Sequence, residues 1–269
     1  MTTKWVMDVM EKLAPACLAY ESDNVGLLVG EKNKPVNKIL VALELTDDVL
    51  DEAILLKSDM VITHHPIMRH SIKKITDETL LGQKIIKLIR NKISFYAAHT
   101  NLDATAGGVN DRLFDVLGLT DRQPFMPLPH SNDNTISMGR IGALTKPMET
   151  KELLKIIKSR LELGIINYVG DENKTISKVA LCTGSASNMD FIELALIKGC
   201  DVLISGDLTY HNAQTAFELG LVVIDGTHFA TEVIIADVII NKIKQAAAAE
   251  NIDIEIIKSL RQKSPFKQA

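Results

Sequence analysis

The sequence predicts an α/β protein made of two related lobes with mixed, largely parallel sheets, and three observations carry that expectation. Short apolar runs bounded by turn residues alternate with longer stretches of helical spacing, the pattern of strand–helix–strand units. Hydrophobic residues make up 46% of the 269 residues but aromatics only 4%. Ile, Leu, Val and Ala therefore carry the core, as buried parallel strands prefer. The halves also echo one another: Val41-Ala42-Leu43, a helix and Asp59-Met60-Val61-Ile62 are matched by Val179-Ala180-Leu181, a helix and Asp201-Val202-Leu203-Ile204. Common βαβ patterning produces such echoes too. A true repeat gives two lobes about a pseudo-twofold, with a site in the crevice between them where strand carboxyl ends collect ligands.

In chain order, Val6, Val9, Met10 and Leu13 space a helix over 4–13, which Pro15 stops. Residues 21–30 read as a polar Asp-Asn turn feeding a short apolar segment. Residues 38–43 are a buried strand, and Thr46 caps a helix that opens on Asp47-Asp48 and runs to about Lys57. The strand Asp59–Ile62, an amphipathic helix over 79–91 and a strand over 93–98 follow, and Gly107-Gly108 breaks the chain before a helix at 109–117. The Pro-rich stretch Pro124 through Pro129, leading into His130-Ser131-Asn132-Asp133-Asn134, reads as the lobe boundary. That divides the chain into intimately packed lobes 1–123 and 124–269. Beyond it come strand 137–142 and helix 150–163, with Leu153, Leu154, Ile157 and Leu161 on one face. Strand 178–182, helix 188–198, strand 201–205, helix 209–219 and strand 221–225 continue the alternation. A long helix over 229–248 and a strand over 252–257 complete it.

The formal charge of −4 and pI near 6.0 give no basic footprint, so nucleic acid is not the expected partner. Cys17, Cys182 and Cys200 form no CxxC pair, which fits a reduced compartment. The start does not read as a signal peptide and no apolar run is long enough to span a bilayer, so the cytoplasm is expected.

Thr63-His64-His65-Pro66 places two adjacent imidazoles where a strand ends, so a turn before Pro66 can bring both to one cavity. His99-Thr100-Asn101-Leu102-Asp103 and His228-Phe229-Ala230-Thr231-Glu232 each set a carboxylate four residues after a His, and each follows a strand-like run. A histidine near a sheet end is usually just a hydrogen-bonded polar residue; the three stretches together point elsewhere. His64, His65, Asp103, His228 and Glu232 supply three imidazoles and two carboxylates, a set suited to zinc, iron, manganese or cobalt. Five ligands exceed one tetrahedral ion with an open position but suit two ions bridged by Glu232, which begins the last helix. Ions about 3.5–4 Å apart acidify a shared water and clamp a charged transition state.

Other residues carry alternatives. His99 is a further ligand, a partner that orients ligands, or a proton shuttle. His211 is an acid/base group or the outer face of a helix start, Asp207 a site residue or that helix's cap, and Tyr210 core or pocket wall. Gly184-Ser185-Ala186-Ser187 resembles a small phosphate-cradling turn, without a Walker lysine. Arg69, His70, Lys73 and Lys74 are the one cationic cluster near the His pair, or a solvated face.

Taken with Ser22-Asp23-Asn24-Val25-Gly26-Leu27, Gly206-Asp207 and Gly226-Thr227-His228, these motifs resemble the Nif-three-like family, whose bacterial members are often labelled GTP cyclohydrolase 1 type 2 homologs. The likeness runs from about residue 5 to about residue 260. It implies two related α/β lobes, a toroidal homohexamer with sites facing an inner cavity, and two divalent metals held by His64, His65, Asp103, His228 and Glu232. Some longer members carry a domain inserted between the lobes; the short connection here resembles the compact form. Glu44 stands where the family pattern leads to Asp, which alters the reach of that carboxylate by one methylene.

The function expected is a metal-dependent hydrolase acting on a nucleotide or related small molecule. In the GTP cyclohydrolase version, the metals supply hydroxide for attack at C8 of guanine while His99 or His211 moves protons. A phosphoesterase would use the same centre on phosphorus. The non-catalytic alternative is a metal-trafficking or interaction protein. An open coordination position favours the enzyme and a closed site the alternative.

Overall fold

A computed structural model describes residues 1–267 except 129, 130, 132 and 134. Pro129, His130, Asn132 and Asn134 of the expected boundary lie outside the described residues. The first elements are α1 (Thr3–Leu13), β1 (Gly26–Val29), β2 (Lys38–Ala42), α2 (Asp47–Leu55), β3 (Met60–Thr63), α3 (Leu80–Arg90), β4 (Ser94–Ala97), α4 (Thr100–Ala104) and α5 (Val109–Val116). Then come β5 (Thr120–Pro127), β6 (Ser137–Glu149), α6 (Thr150–Arg160), β7 (Asn167–Val169), β8 (Thr175–Leu181), α7 (Met189–Ile197) and β9 (Val202–Ser205). The last are α8 (Tyr210–Glu218), β10 (Val222–Asp225), α9 (His228–Glu232), α10 (Ile235–Ala249) and β11 (Glu255–Lys258).

The chain divides into two units, Met1–Thr105 with Ile235–Lys263, and Ala106–Ile234 with Ser264–Ala269. In the first, the sheet order is β1-β4-β3-β2-β11, with β4, β3, β2 and β11 parallel and β1 antiparallel at the edge. Thr46 and Thr79 cap α2 and α3 by accepting the Val49 and Gly82 amides. These helices pack Val49, Leu50, Ala53 and Leu88 with the sheet residues Leu40, Val61 and Phe95. Phe95 is wholly buried. Phe95→Ala is expected to cost about 3–5 kcal/mol, read as a lower urea midpoint at unchanged slope.

The second unit has the order β5-β6-β8-β9-β10-β7, with β8, β9 and β10 parallel and the flanking pairs antiparallel. Leu153, Ile157, Val179, Leu181, Val202 and Ile224 belong to its core.

The echo between the halves extends to hydrogen bonding. Asp59 accepts the Asn37 and Lys38 amides through Oδ2, and Asp201 accepts those of Ser177 and Lys178 in the same way. Lys34 Nζ donates to the Asp59 carbonyl as Lys174 Nζ donates to that of Asp201. Each aspartate therefore sets the start of two neighbouring parallel strands.

Three expectations are corrected. Pro124 lies within strand β5 opposite Arg140, where an edge strand tolerates a residue with no N–H. The division differs from 123/124, because β11 pairs with β2 (Ile256 opposite Ile39) and brings α10 and β11 into the first unit. The long helix over 229–248 is two helices, α9 and α10. The interruption falls at Val233-Ile234, where the chain passes between units. Among the described residues, no helix is long and apolar enough to cross a membrane.

Candidate metal centre

In the first unit, β3 ends at Thr63, whose hydroxyl donates to the His65 carbonyl at 2.7 Å. The His65 amide donates to the Leu43 carbonyl just past β2. This turn fixes both histidines at the carboxyl end of the parallel strands. His64 is fully buried and its Nδ1 donates to the Ala98 carbonyl at 2.8 Å, which fixes the tautomer with the hydrogen on Nδ1. That Nε2 lies 3.5 Å from Asp103 Oδ1.

β4 ends beside β3 and delivers His99, from which α4 makes its single turn and presents Asp103. The donor atoms of His64, His65 and His99 all lie within 4.8 Å of one another. A divalent ion with ligands at about 2.0–2.2 Å holds its donors at comparable mutual separations. The three imidazoles therefore fit such an ion, and Asp103 lies beside His64.

Asp23, in the turn before β1, accepts from His99 Nδ1 at 3.0 Å, from the Thr100 hydroxyl at 2.6 Å and from the Thr100 amide at 3.1 Å. Burial opposes its ionisation, yet the hydrogen bonds from His99 and Thr100 outweigh this and hold the carboxyl well below the usual range. Glu44 follows β2, with Oε2 3.9 Å from His65 Nδ1. The His65 ring, against the opposing effect of burial, draws its carboxyl down.

In the second unit, β10 leads through Gly226 to Thr227, whose backbone adopts φ 61° and ψ 144°. This is a strained conformation for a β-branched residue. The Thr227 hydroxyl caps α9 by accepting the Ala230 amide, and α9 opens on His228. His228 is clamped between two carboxylates: Nδ1 lies 2.7 Å from Asp207 Oδ2, and Nε2 3.0 Å from Glu232 Oε2.

Glu232 is buried against Gly184, where an added Cβ would lie 2.2 Å from Oε1. Gly206 is equally constrained, since a Cβ there would meet the His228 amide nitrogen at 2.5 Å.

Glu232 above all, opposed by burial and helped by Asp207, raises the His228 pKa from 6.5 to about 9 in the metal-free protein. A pKa raised on folding adds stability that is full below about 6.5 and fades as the pH rises through about 9. The metal-free wild type is expected to lose thermal stability over that window, and His228→Gln to lose less.

Other expected residues fall elsewhere. His211 is exposed on the first turn of α8, edge-on to Tyr210 at 5.6 Å, and belongs to no metal-capable group among the described residues. Tyr210 is 77% exposed and is not core. Asp207 does not cap α8; Thr209 does, by accepting the Asn212 amide. The 184–187 turn is not an open phosphate cradle, because the Gly184 and Ala186 amides donate to the hydroxyls of Thr231 and Ser205. Arg69, His70, Lys73 and Lys74 form an exposed face. Asp23 reads in sequence as a turn residue, and its place in the Ser22-Asp23-Asn24 motif is the one signal that marks it.

Residues 1–265 match the model of the Duf34/NIF3 (NGG1p interacting factor 3) family. A Clostridium perfringens protein named GTP cyclohydrolase 1 type 2 homolog is 38% identical over 267 residues, covering 97% of each chain. A Clostridium acetobutylicum protein of the same name is also 38% identical, over 99% of this chain and 98% of its own. The fold matches a Bacillus cereus protein related to NIF3 with a TM-score of 0.94 at 24% identity, over 100% of this chain and 99% of that one. With one family spanning the chain and its motif residues standing at the carboxyl ends of both sheets, this protein belongs to the Duf34/NIF3 family.

Proposed function

We propose that this protein is a dinuclear divalent-metal hydrolase acting on a nucleotide or related small molecule, working in the cytoplasm as a homohexamer. The observation that carries this reading is the donor set. His64, His65 and His99 bring their donor atoms within 4.8 Å of one another beside Asp103, while His228 and Glu232 are held rigidly together. On this reading His64, His65, Asp103, His228 and Glu232 would hold two ions of zinc, iron, manganese or cobalt, with Glu232 the residue expected to be shared between them. When bound, such ions supply Lewis acidity and a nucleophile at neutral pH.

The chain's own residues then orient and move protons. His64 is aligned by the Ala98 carbonyl. His99, with Nδ1 held by Asp23, has Nε2 left to take or give a proton. His211 is the second proton-transfer candidate, on an exposed helix start. The name shared by the Clostridium relatives, GTP cyclohydrolase 1 type 2 homolog, makes GTP the first substrate to test. Exposed Tyr210, Phe217 and Ile197 offer apolar surface for the hexamer.

The test is turnover of GTP and a phosphoester panel by metal-loaded protein, with chelated protein as control. Metal-dependent formation of a ring-opened guanine product supports the cyclohydrolase, and release of phosphate alone the phosphoesterase. Metal uptake with no turnover of any substrate favours trafficking or interaction instead.

A further inference from the structure

The imidazoles are oriented in two different ways. His64 gives its Nδ1 hydrogen to a backbone carbonyl, that of Ala98. His99 and His228, one in each unit, instead meet carboxylates at Nδ1: Asp23 at 3.0 Å and Asp207 at 2.7 Å. In both cases the histidine stands at the mouth of a one-turn helix whose carboxylate, Asp103 or Glu232, lies four residues on. Neither aspartate sits in the helix it serves. Asp23 arrives from the turn before β1, and Asp207 from the loop after β9.

We propose that Asp23 and Asp207 are positioning residues, one per unit, which keep hydrogen on Nδ1 of His99 and His228 and so present Nε2 to metal or substrate. The proposal rests on the metal-centre reading above. A carboxylate partner does what a carbonyl cannot, because its charge raises the basicity of the ring as well as fixing its plane. Asp23 does more, since its bonds to the Thr100 hydroxyl and amide also pin the start of α4, the helix that bears Asp103. It is the more deeply buried of the two, with a side chain 9% exposed against 48% for Asp207.

Asp207 shows a second sign of this role. Its backbone lies at φ 55°, a region that favours glycine. Glycine would suit the turn better but would leave His228 without its Nδ1 partner.

That conflict provides the test. Asp23→Asn, Asp207→Asn and Asp207→Gly are titrated with cobalt(II), following affinity and the visible d–d spectrum, beside thermal unfolding of the metal-free proteins. The expected result is a loss of about 10–100-fold in cobalt affinity with an altered spectrum in each variant. Asp207→Gly should lose affinity although it relieves the φ 55° backbone, so that loss cannot be put down to backbone strain. Unchanged affinity and spectrum in Asp207→Gly and Asp23→Asn would overturn the proposal. If wild type takes up no cobalt, the metal reading fails; the positioning role is then decided by the ring N–H signals of 15N-histidine protein. A protected Nδ1–H on His99 and His228 that is lost in the Asn variants upholds positioning, and identical signals overturn it.

Discussion

Gly184→Ala is expected to lower divalent-metal affinity by about 100-fold, the upper range for disturbing the surroundings of a metal ligand. The added methyl would sit 2.2 Å from Glu232 Oε1 and 3.2 Å from its carboxylate carbon, with His228 Cε1 at 3.6 Å. Glu232 is buried and ion-paired to His228, so its carboxylate can yield only by leaving the donor set. Gly184 also lies at φ +68°, which adds about 1–2 kcal/mol of backbone strain for alanine. Gly199 separates the two effects. It lies at φ +65° with nothing within 4 Å of an added Cβ, so Gly199→Ala carries similar strain and should leave metal affinity unchanged. Calorimetric titration of both variants checks the difference.

Asp111→Ala is expected to destabilise the protein by about 3–5 kcal/mol, the cost of breaking a buried ion pair from one side. Asp111 Oδ1 accepts from Arg140 Nε, and the two side chains are only 7% and 3% exposed. Arg140 also donates to the Ser137 and Gly139 carbonyls at 2.7 and 2.8 Å, so its guanidinium is held in place and cannot follow a lost partner into water. The second Asp111 oxygen accepts the Gly107 amide at 2.6 Å, tying α5 to the turn before it. The double variant Asp111→Leu with Arg140→Met should recover much of the loss, because apolar replacement removes both buried charges together. Urea unfolding of the single and double variants measures this directly.

The strand ends that carry the chemistry were legible because their signals are local. The His pair follows four buried β residues, and each His-x-x-x-carboxylate stretch follows a strand of its own. What stayed hidden depends on residues far apart in the chain. A glycine after a strand looks like a phosphate turn, and the approach of Glu232, which is distant in sequence, together with φ +68° explains Gly184. Asp207 precedes a helix and so reads as its cap, yet Thr209 is better placed and frees the carboxylate for His228. Asp23 reads as a turn residue until β1 pairs with β4 and brings it to His99. The return of β11 to β2 joins distant strands by a register that no local pattern records.

The most direct test of the central claim is the metal content of native protein beside the Asp103→Ala, Glu232→Ala double variant. About two ions per subunit are expected in the native protein, as a dinuclear centre requires, and their loss from a variant that still folds. Equal metal content in the two proteins would contradict the ligand assignment and the hydrolase built on it.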